Sequence, residues 1–163
     1  MFKFLFFLYR TCNDIYNKRG KILLVRMLGR VYLTLLSFFY AAYIPYTARI
    51  GKHVLFVHKF HGIFISKNAV IGDGCVIYHH VTIGSSKSPI LKWGEGERDS
   101  PIIGKNVYIG ANSCIIGKSI IGDNCIIGAG TSIANSIVPK NSLIVPAKWR
   151  IIDRNQEKSN GRD

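Results

Sequence analysis

Isoleucine returns at every sixth residue through the middle of this chain. Ile65, Ile71, Ile77 and Ile83 form one run, and Ile103, Ile109, Ile115, Ile121, Ile127 and Ile133 form a second. Gly72, Gly84, Gly104, Gly110, Gly122 and Gly128 each directly follow one of these anchors. Four residues after most anchors stands a small or β-branched residue: Ala69, Cys75, Val81, Val107, Ser113, Ser119, Cys125 or Thr131. A period of six is neither the helical period of about 3.6 nor the two-residue alternation of a half-buried strand. It is the signature of a hexapeptide-repeat parallel β-helix. Each hexapeptide supplies one short strand and one corner. The isoleucine points into a prism, and the small residue fills the narrow space beside it. Three hexapeptides close one triangular coil, so residues eighteen apart stack at the inter-strand spacing of ~4.8 Å. Coils bury their apolar faces only on each other, and both ends need caps.

The period breaks twice. Ile44, Ile50 and Phe56 keep the count, and then Phe56 to Ile65 runs three residues too long. The second break is the loop 84–102, rich in Gly, Ser and charge. Insertions in a solenoid map to one functional face, so these breaks are where chemistry is expected. If the three extra residues lie between His58 and Ile65, Phe56 and Ile77 share a face of successive coils. His58 and His79, each two residues past its anchor, are then neighbours at one corner.

Residues 1–43 carry no hexapeptide period. Their apolar residues recur at helical spacing, giving two or three short amphipathic helices broken near Asn17–Gly20. Lys3, Arg10, Lys18, Arg19, Lys21, Arg26 and Arg30 oppose a lone Asp14. A helical cap on the solenoid is expected, with interfacial membrane attachment as the alternative. The apolar start is not followed by a small-residue cleavage site, so it does not read as a signal peptide. Residues 44–152 form the solenoid, and 153–163 a polar tail expected to be mobile. The formal net charge of +13 suits a polyanionic cofactor or an anionic membrane. It matches no nucleic-acid motif. Cys12, Cys75, Cys114 and Cys125 lack metal spacing and read as small buried hydrophobes in a reducing, cytoplasmic setting, at most at the inner face of the membrane.

The run Ile44-Pro45-Tyr46-Thr47-Ala48-Arg49-Ile50-Gly51, then His58 and Gly62-Ile63-Phe64-Ile65, resembles the serine acetyltransferase branch of the hexapeptide acyltransferase family. Ile83-Gly84 before the loop, Pro101-Ile102-Ile103-Gly104 after it and Val145-Pro146-Ala147-Lys148 near the end match in the same order. The motif is closer still to the sugar and capsule O-acetyltransferases of that branch. The resemblance covers about Ile44 to Ile152. It implies an all-β fold, a left-handed parallel β-helix with a short α-helical N-terminal segment.

It also implies acetyl-CoA as co-substrate, a homotrimer, and His58 as general base toward an acceptor hydroxyl, with no metal. An imidazole titrates near the working pH, and a hydroxyl is a poor nucleophile until a base activates it. His79 is expected to contact a substrate or hold His58. Gly110, Ala111, Gly128, Ala129 and Gly130 are the expected path of the pantetheine, with Lys148 and Arg150 at the phosphates. Three departures from serine acetyltransferases point to a sugar or polysaccharide hydroxyl as acceptor. Tyr43 stands where that branch carries an orienting aspartate. Asp99 or Ser100 stands near a loop histidine. A short segment replaces a large helical domain. The alternatives are a serine O-acetyltransferase, a non-catalytic hexapeptide scaffold, a zinc carbonic anhydrase on the same fold and an acyl-carrier-protein donor.

Overall fold

The structure is a computed structural model, and it describes residues 1–19, 23–86 and 99–146. Most of the predicted loop, the predicted tail, Lys148 and Arg150 lie outside the described residues.

Two helices, α1 (Phe2–Arg19) and α2 (Leu23–Tyr40), precede fourteen short strands. In order these are β1 (Arg49–Ile50), β2 (Leu55–Phe56), β3 (Phe64–Ile65), β4 (Val70–Ile71), β5 (Val76–Ile77), β6 (Thr82–Gly84) and β7 (Ile102–Ile103). β8 (Tyr108–Ile109), β9 (Cys114–Ile116), β10 (Ile120–Ile121), β11 (Ile126–Ile127), β12 (Ser132–Ala134), β13 (Ile137–Val138) and β14 (Leu143–Ile144) follow. They form three faces, ordered β1-β4-β7-β10-β13, β2-β5-β8-β11-β14 and β3-β6-β9-β12. Every pairing is parallel. The chain is a parallel β-solenoid of about five turns behind an N-terminal helical segment.

The six-residue arithmetic explains the interior. From Ile65 to Ile127 each anchor is buried with its stacked equivalents above and below, and so is each small residue. The small polar residues inside are satisfied by nearby carbonyls. Ser113 Oγ donates to the Gly110 and Gly128 oxygens at 2.8 and 3.0 Å, and Thr131 Oγ1 to Gly128 at 2.6 Å. A buried hydroxyl without such a partner costs about 1–3 kcal/mol. Cys12, Cys75 and Cys125 are buried free thiols, and burial raises the pKa of Cys12 and Cys75.

The coil count slips in three places. The extra residues after Phe56 fall between His58 and Ile63, because Phe56 pairs with Ile77 and Ile65 with Ile83. Across the second break Ile83 pairs with Ile115, so the loop leaves the stacking intact. A third slip was not expected. Ile121 pairs with Val138 rather than with residue 139, so the last coil is one residue short.

The helices close the N-terminal end. Strand β1 is an edge, with no strand before it to receive its bonds. Side chains of α1 take over. Tyr9 donates its hydroxyl to Ala48 O at 2.7 Å, Arg10 its guanidinium to Ile50 O at 2.6 Å and Gly51 O at 2.5 Å, and Asn13 its amide to Ala48 O at 3.0 Å. Phe2, Phe6 and Tyr40 pack around Phe60 with ring centroids 4.6 to 6.2 Å apart. Burial drives the Tyr9 and Tyr32 hydroxyls well above the ordinary tyrosine range.

Candidate functional site

The anchors Phe56, Ile77, Ile109 and Ile127 are in register on one face, so the residues that follow them form a column at one corner. Reading down the coils, the column is Val57-His58-Lys59, Tyr78-His79-His80, Gly110-Ala111-Asn112 and Gly128-Ala129-Gly130. The third residue of each triplet has positive φ: Lys59 at 60°, His80 at 55°, Asn112 at 59° and Gly130 at 71°. The same backbone turn is repeated in the last three coils, and in the first coil the turn in register with it is Phe60-His61-Gly62, because His80 N–H donates to His61 O at 2.9 Å. Two coils carry imidazoles there, and the next two carry almost nothing.

The inserted residues build the top of this column. Lys59 N–H donates to Phe56 O and Ile63 N–H to Phe60 O, each at 3.1 Å, folding the insertion into two tight turns. Phe60 plugs the aromatic cap between them. Gly62, at φ 65°, donates to Tyr40 O at 2.9 Å. A Cβ on Gly62 would overlap the imidazole of His80. As its Nδ1–H tautomer, His61 donates to the carbonyl of His58 at 2.9 Å and braces its backbone.

His58 and His79 stand together as their spacing anticipates. Their ring centroids are 4.8 Å apart at 78°, edge to face. His80 lies 5.4 Å beyond His79, and Tyr78 lies 5.9 Å from His58. The His58 side chain is exposed, and no hydrogen bond reaches its imidazole from the described residues. Nδ1 of His79 is buried and has no hydrogen-bond partner. Tyr78 also lies against Tyr108 on the coil below, ring centroids 5.1 Å apart, and this neighbour raises the Tyr108 pKa, with burial a smaller cause. This tyrosine pair was not foreseen. Its signal was present, since Tyr78 fills the post-anchor position that glycine usually occupies. Among the described residues the histidines do not gather into a three-ligand metal cluster.

Below the imidazoles the column becomes a shallow groove. Ala111 is half-buried, Ala129 and Gly130 are exposed, and a Cβ on Gly130 would meet nothing within 4 Å. Gly110 is glycine for another reason. A Cβ there would come within 2.5 Å of Ala129 N, so its smallness lets adjacent coils close up.

The positions read as departures have local structural work. Tyr43 stacks on Phe64, with centroids 5.1 Å apart and planes at 21°, and bridges the first coil to the second. Asp99 and Ser100 are buried at the root of the loop. Asp99 accepts from Ser85 Oγ at 2.9 Å and Asn68 Nδ2 at 3.2 Å, and Ser66 Oγ donates to Ser100 Oγ at 2.9 Å. These side chains hold the fold at two breaks, so their identity says little about the acceptor.

Comparison with known proteins agrees with that correction. The family profile described as bacterial transferase hexapeptide (six repeats) matches residues 100–135. The chain is 31% identical to serine acetyltransferase 2 of Arabidopsis thaliana over 93% of its own length and 43% of the relative's. It is 33% identical to the serine acetyltransferase of Synechococcus elongatus over 66% of its length and 41% of the relative's. The serine acetyltransferase of Neisseria gonorrhoeae, solved with serine, superposes with a TM-score of 0.71 at 29% identity, covering 90% of this chain and 55% of that one. A serine acetyltransferase solved with CoA gives 0.70 at 25% identity, over 93% and 57%. The chain thus spans about half the length, or less, of these relatives. It carries a match to the hexapeptide transferase profile and has serine acetyltransferase homologues, and the expectation of a sugar or polysaccharide acceptor is overturned.

Proposed function

We propose that this hexapeptide-repeat chain, homologous to serine acetyltransferases, moves an acetyl group from acetyl-CoA to the hydroxyl of serine. The observation that carries the reading is the likeness to serine acetyltransferases along nearly the whole chain. The imidazole column is where the chemistry fits. His58 Nε2 or Nδ1 takes the proton of the serine hydroxyl as that oxygen attacks the thioester carbonyl. The carbon–sulfur bond then breaks, and the proton passes from the imidazolium to the departing CoA thiolate. Oxygen has gained the acetyl group and sulfur the proton, with the histidine restored. No carboxylate hydrogen-bonds His58 among the described residues, so its orientation comes from the edge of His79 and the braced turn below it. His79 serves as a positioning residue.

The pantetheine arm lies in the groove of Ala111, Ala129 and Gly130, one and two coils below the base. Gly110 and Gly128 set how closely those coils approach. Lys148 and Arg150 stand as the phosphate partners. The open side of the corner is completed by a neighbouring copy in a homotrimer. The reading sets the enzyme in a reducing, cytoplasmic compartment, and the free thiols among the described residues support it.

The test is direct. The full-length protein is incubated with acetyl-CoA and L-serine, and both free CoA and the mass of the amino acid are followed. Serine heavier by one acetyl group, formed in step with free CoA, is the expected result. No acetylated serine at millimolar serine would overturn the acceptor.

A further inference from the structure

Helix α2 is apolar around about two thirds of its circumference, yet only one third is buried. Plotted at about 100° per residue, Val25, Gly29, Tyr32, Leu36 and Tyr40 share one sector, and all are buried. Gly29 lets this face sit flush, because a Cβ there would overlap the ring of Tyr46. A second sector holds Leu24, Met27, Val31 and Phe38, with relative exposures of 61, 59, 56 and 81%. The remaining polar sector holds Arg26, Arg30, Thr34 and Ser37. Helix α1 repeats the plan. Leu5, Tyr9 and Cys12 face inward, while Phe4 and Phe7, at 57 and 64% exposure, lie outward near Lys3 and Lys18. Single exposed apolar residues are ordinary, but a continuous apolar sector on a helix calls for an apolar neighbour.

The charges say which neighbour. Arg30 lies on the flank of the exposed apolar sector of α2, with Arg26 further round toward Tyr16 and Tyr46, and Lys3 and Lys18 flank that of α1 with Asp14 the one acid among them. A second copy on the same faces would bring these cations onto their own counterparts. An anionic lipid surface accepts both parts at once, with aromatic and aliphatic side chains entering the acyl boundary and the cations reaching back to the phosphates. Crossing the bilayer is a different matter. Leu23–Tyr40 is long and apolar enough by composition. Its inner sector, however, is committed to the solenoid, with Tyr32 and Leu36 at 0% exposure.

We propose that the outward faces of α1 and α2 form an in-plane docking surface for an anionic phospholipid membrane. This placement does not depend on which hydroxyl is acetylated. The experiment is sedimentation of the full-length protein with vesicles of phosphatidylglycerol and phosphatidylcholine, against phosphatidylcholine alone. The expected result is recovery with the anionic vesicles and retention in the supernatant with the neutral ones. The triple variant Met27→Ser, Val31→Ser, Phe38→Ser changes only exposed side chains, and its melting curve reports folding. It should partition at least about tenfold more weakly. Arg26→Glu with Arg30→Glu should weaken binding by a similar factor, through charge alone. Three results would overturn the proposal. In the first, wild-type protein stays in the supernatant with phosphatidylglycerol. In the second, the bound protein resists alkaline carbonate extraction, as a spanning helix does. In the third, the triple variant binds vesicles as well as wild type, or loses half its mass in solution while wild type ignores lipid, so that a second copy covers the face.

Discussion

Two corners of the same prism use the same backbone turn and do opposite things with it. After the anchors of the first face, the left-handed position is held by His53, Gly74, Asn106, Asn124 and Asn141, with φ from 54 to 71°. There the side chains answer one another. Asn106 donates to Asn124 at 3.3 Å and Asn124 to Asn141 at 3.2 Å, while Asp123 accepts from the Lys105 amide at 2.7 Å. After the anchors of the second face, the left-handed residues are Lys59 and Gly62 in the first coil and then His80, Asn112 and Gly130, and the backbone ladder runs from His80 N–H to His61 O, Asn112 N–H to His79 O and Gly130 N–H to Ala111 O. The first corner is closed by its own hydrogen bonds. The second leaves an exposed imidazole, a buried ring nitrogen without a partner and a strip of alanine and glycine. Groups that satisfy each other contribute to stability, and groups left unsatisfied are free to meet a ligand.

Substitutions at equivalent turns sharpen that contrast. The largest effect is expected from His58→Ala, which should slow acetyl transfer by ~10²–10⁴-fold while the melting temperature and CoA binding hold. Loss of CoA binding in parallel would mean that the histidine shapes the groove instead of serving as base. Next comes Asn124→Ala. It removes two side-chain hydrogen bonds worth about 0.5–1.5 kcal/mol each and replaces asparagine, which tolerates left-handed backbone, with alanine, which does not, at a further ~1 kcal/mol or less. Urea unfolding should register a loss of about 2–3 kcal/mol, with turnover per folded molecule unchanged. His79→Ala should cost only about tenfold in rate, the scale of a positioning role near 1.4 kcal/mol. An inactive His79→Ala beside an active His58→Ala would transfer the base to the second coil. The smallest effect belongs to Asn112→Gly, within about 0.5 kcal/mol of wild type in urea. If Asn112→Gly proved as costly as Asn124→Gly, the two corners would not differ in the way described.

Much of the scaffold was legible because its grammar is local. An anchor, a glycine and a small residue recur within six positions, and stacking turns that recurrence into contacts. The same arithmetic located the insertion after His58 and brought His58 to His79. The missing residue in the last coil was legible too, by a different clue. Asn106, Asn124 and Asn141 each lie three residues after an anchor, which makes Val138 the anchor and not Pro139. The isoleucine count alone could not report this, because the anchor at the slip is Val138 and not isoleucine. The helices were legible as amphipathic, and the expected break near Asn17–Gly20 falls where α1 ends at Arg19, although both helices run to 18 residues where short ones were expected. The acceptor was misread. Tyr43, Asp99 and Ser100 were read as departures that point away from serine, whereas the first stacks on Phe64 and the other two clasp the root of the loop. Nothing in their spacing separates those roles.

The clasp of α1 on the edge of β1 also sets an order of events during synthesis. Its hydrogen bonds join residues 39 to 41 positions apart, from Tyr9 and Arg10 to Ala48, Ile50 and Gly51. Both helices therefore emerge from the ribosome before the strand they cover does. At translation rates of about 5–20 residues per second, their apolar sectors wait on the order of seconds for the first coil. During that interval the inner faces are as exposed as the outer ones. A nascent chain arrested when both helices but not yet β1 have emerged should thus crosslink to hydrophobic-surface binders or lipid through Leu5, Tyr32 and Leu36. A chain arrested past residue 110 should retain that contact only through Met27, Val31 and Phe38.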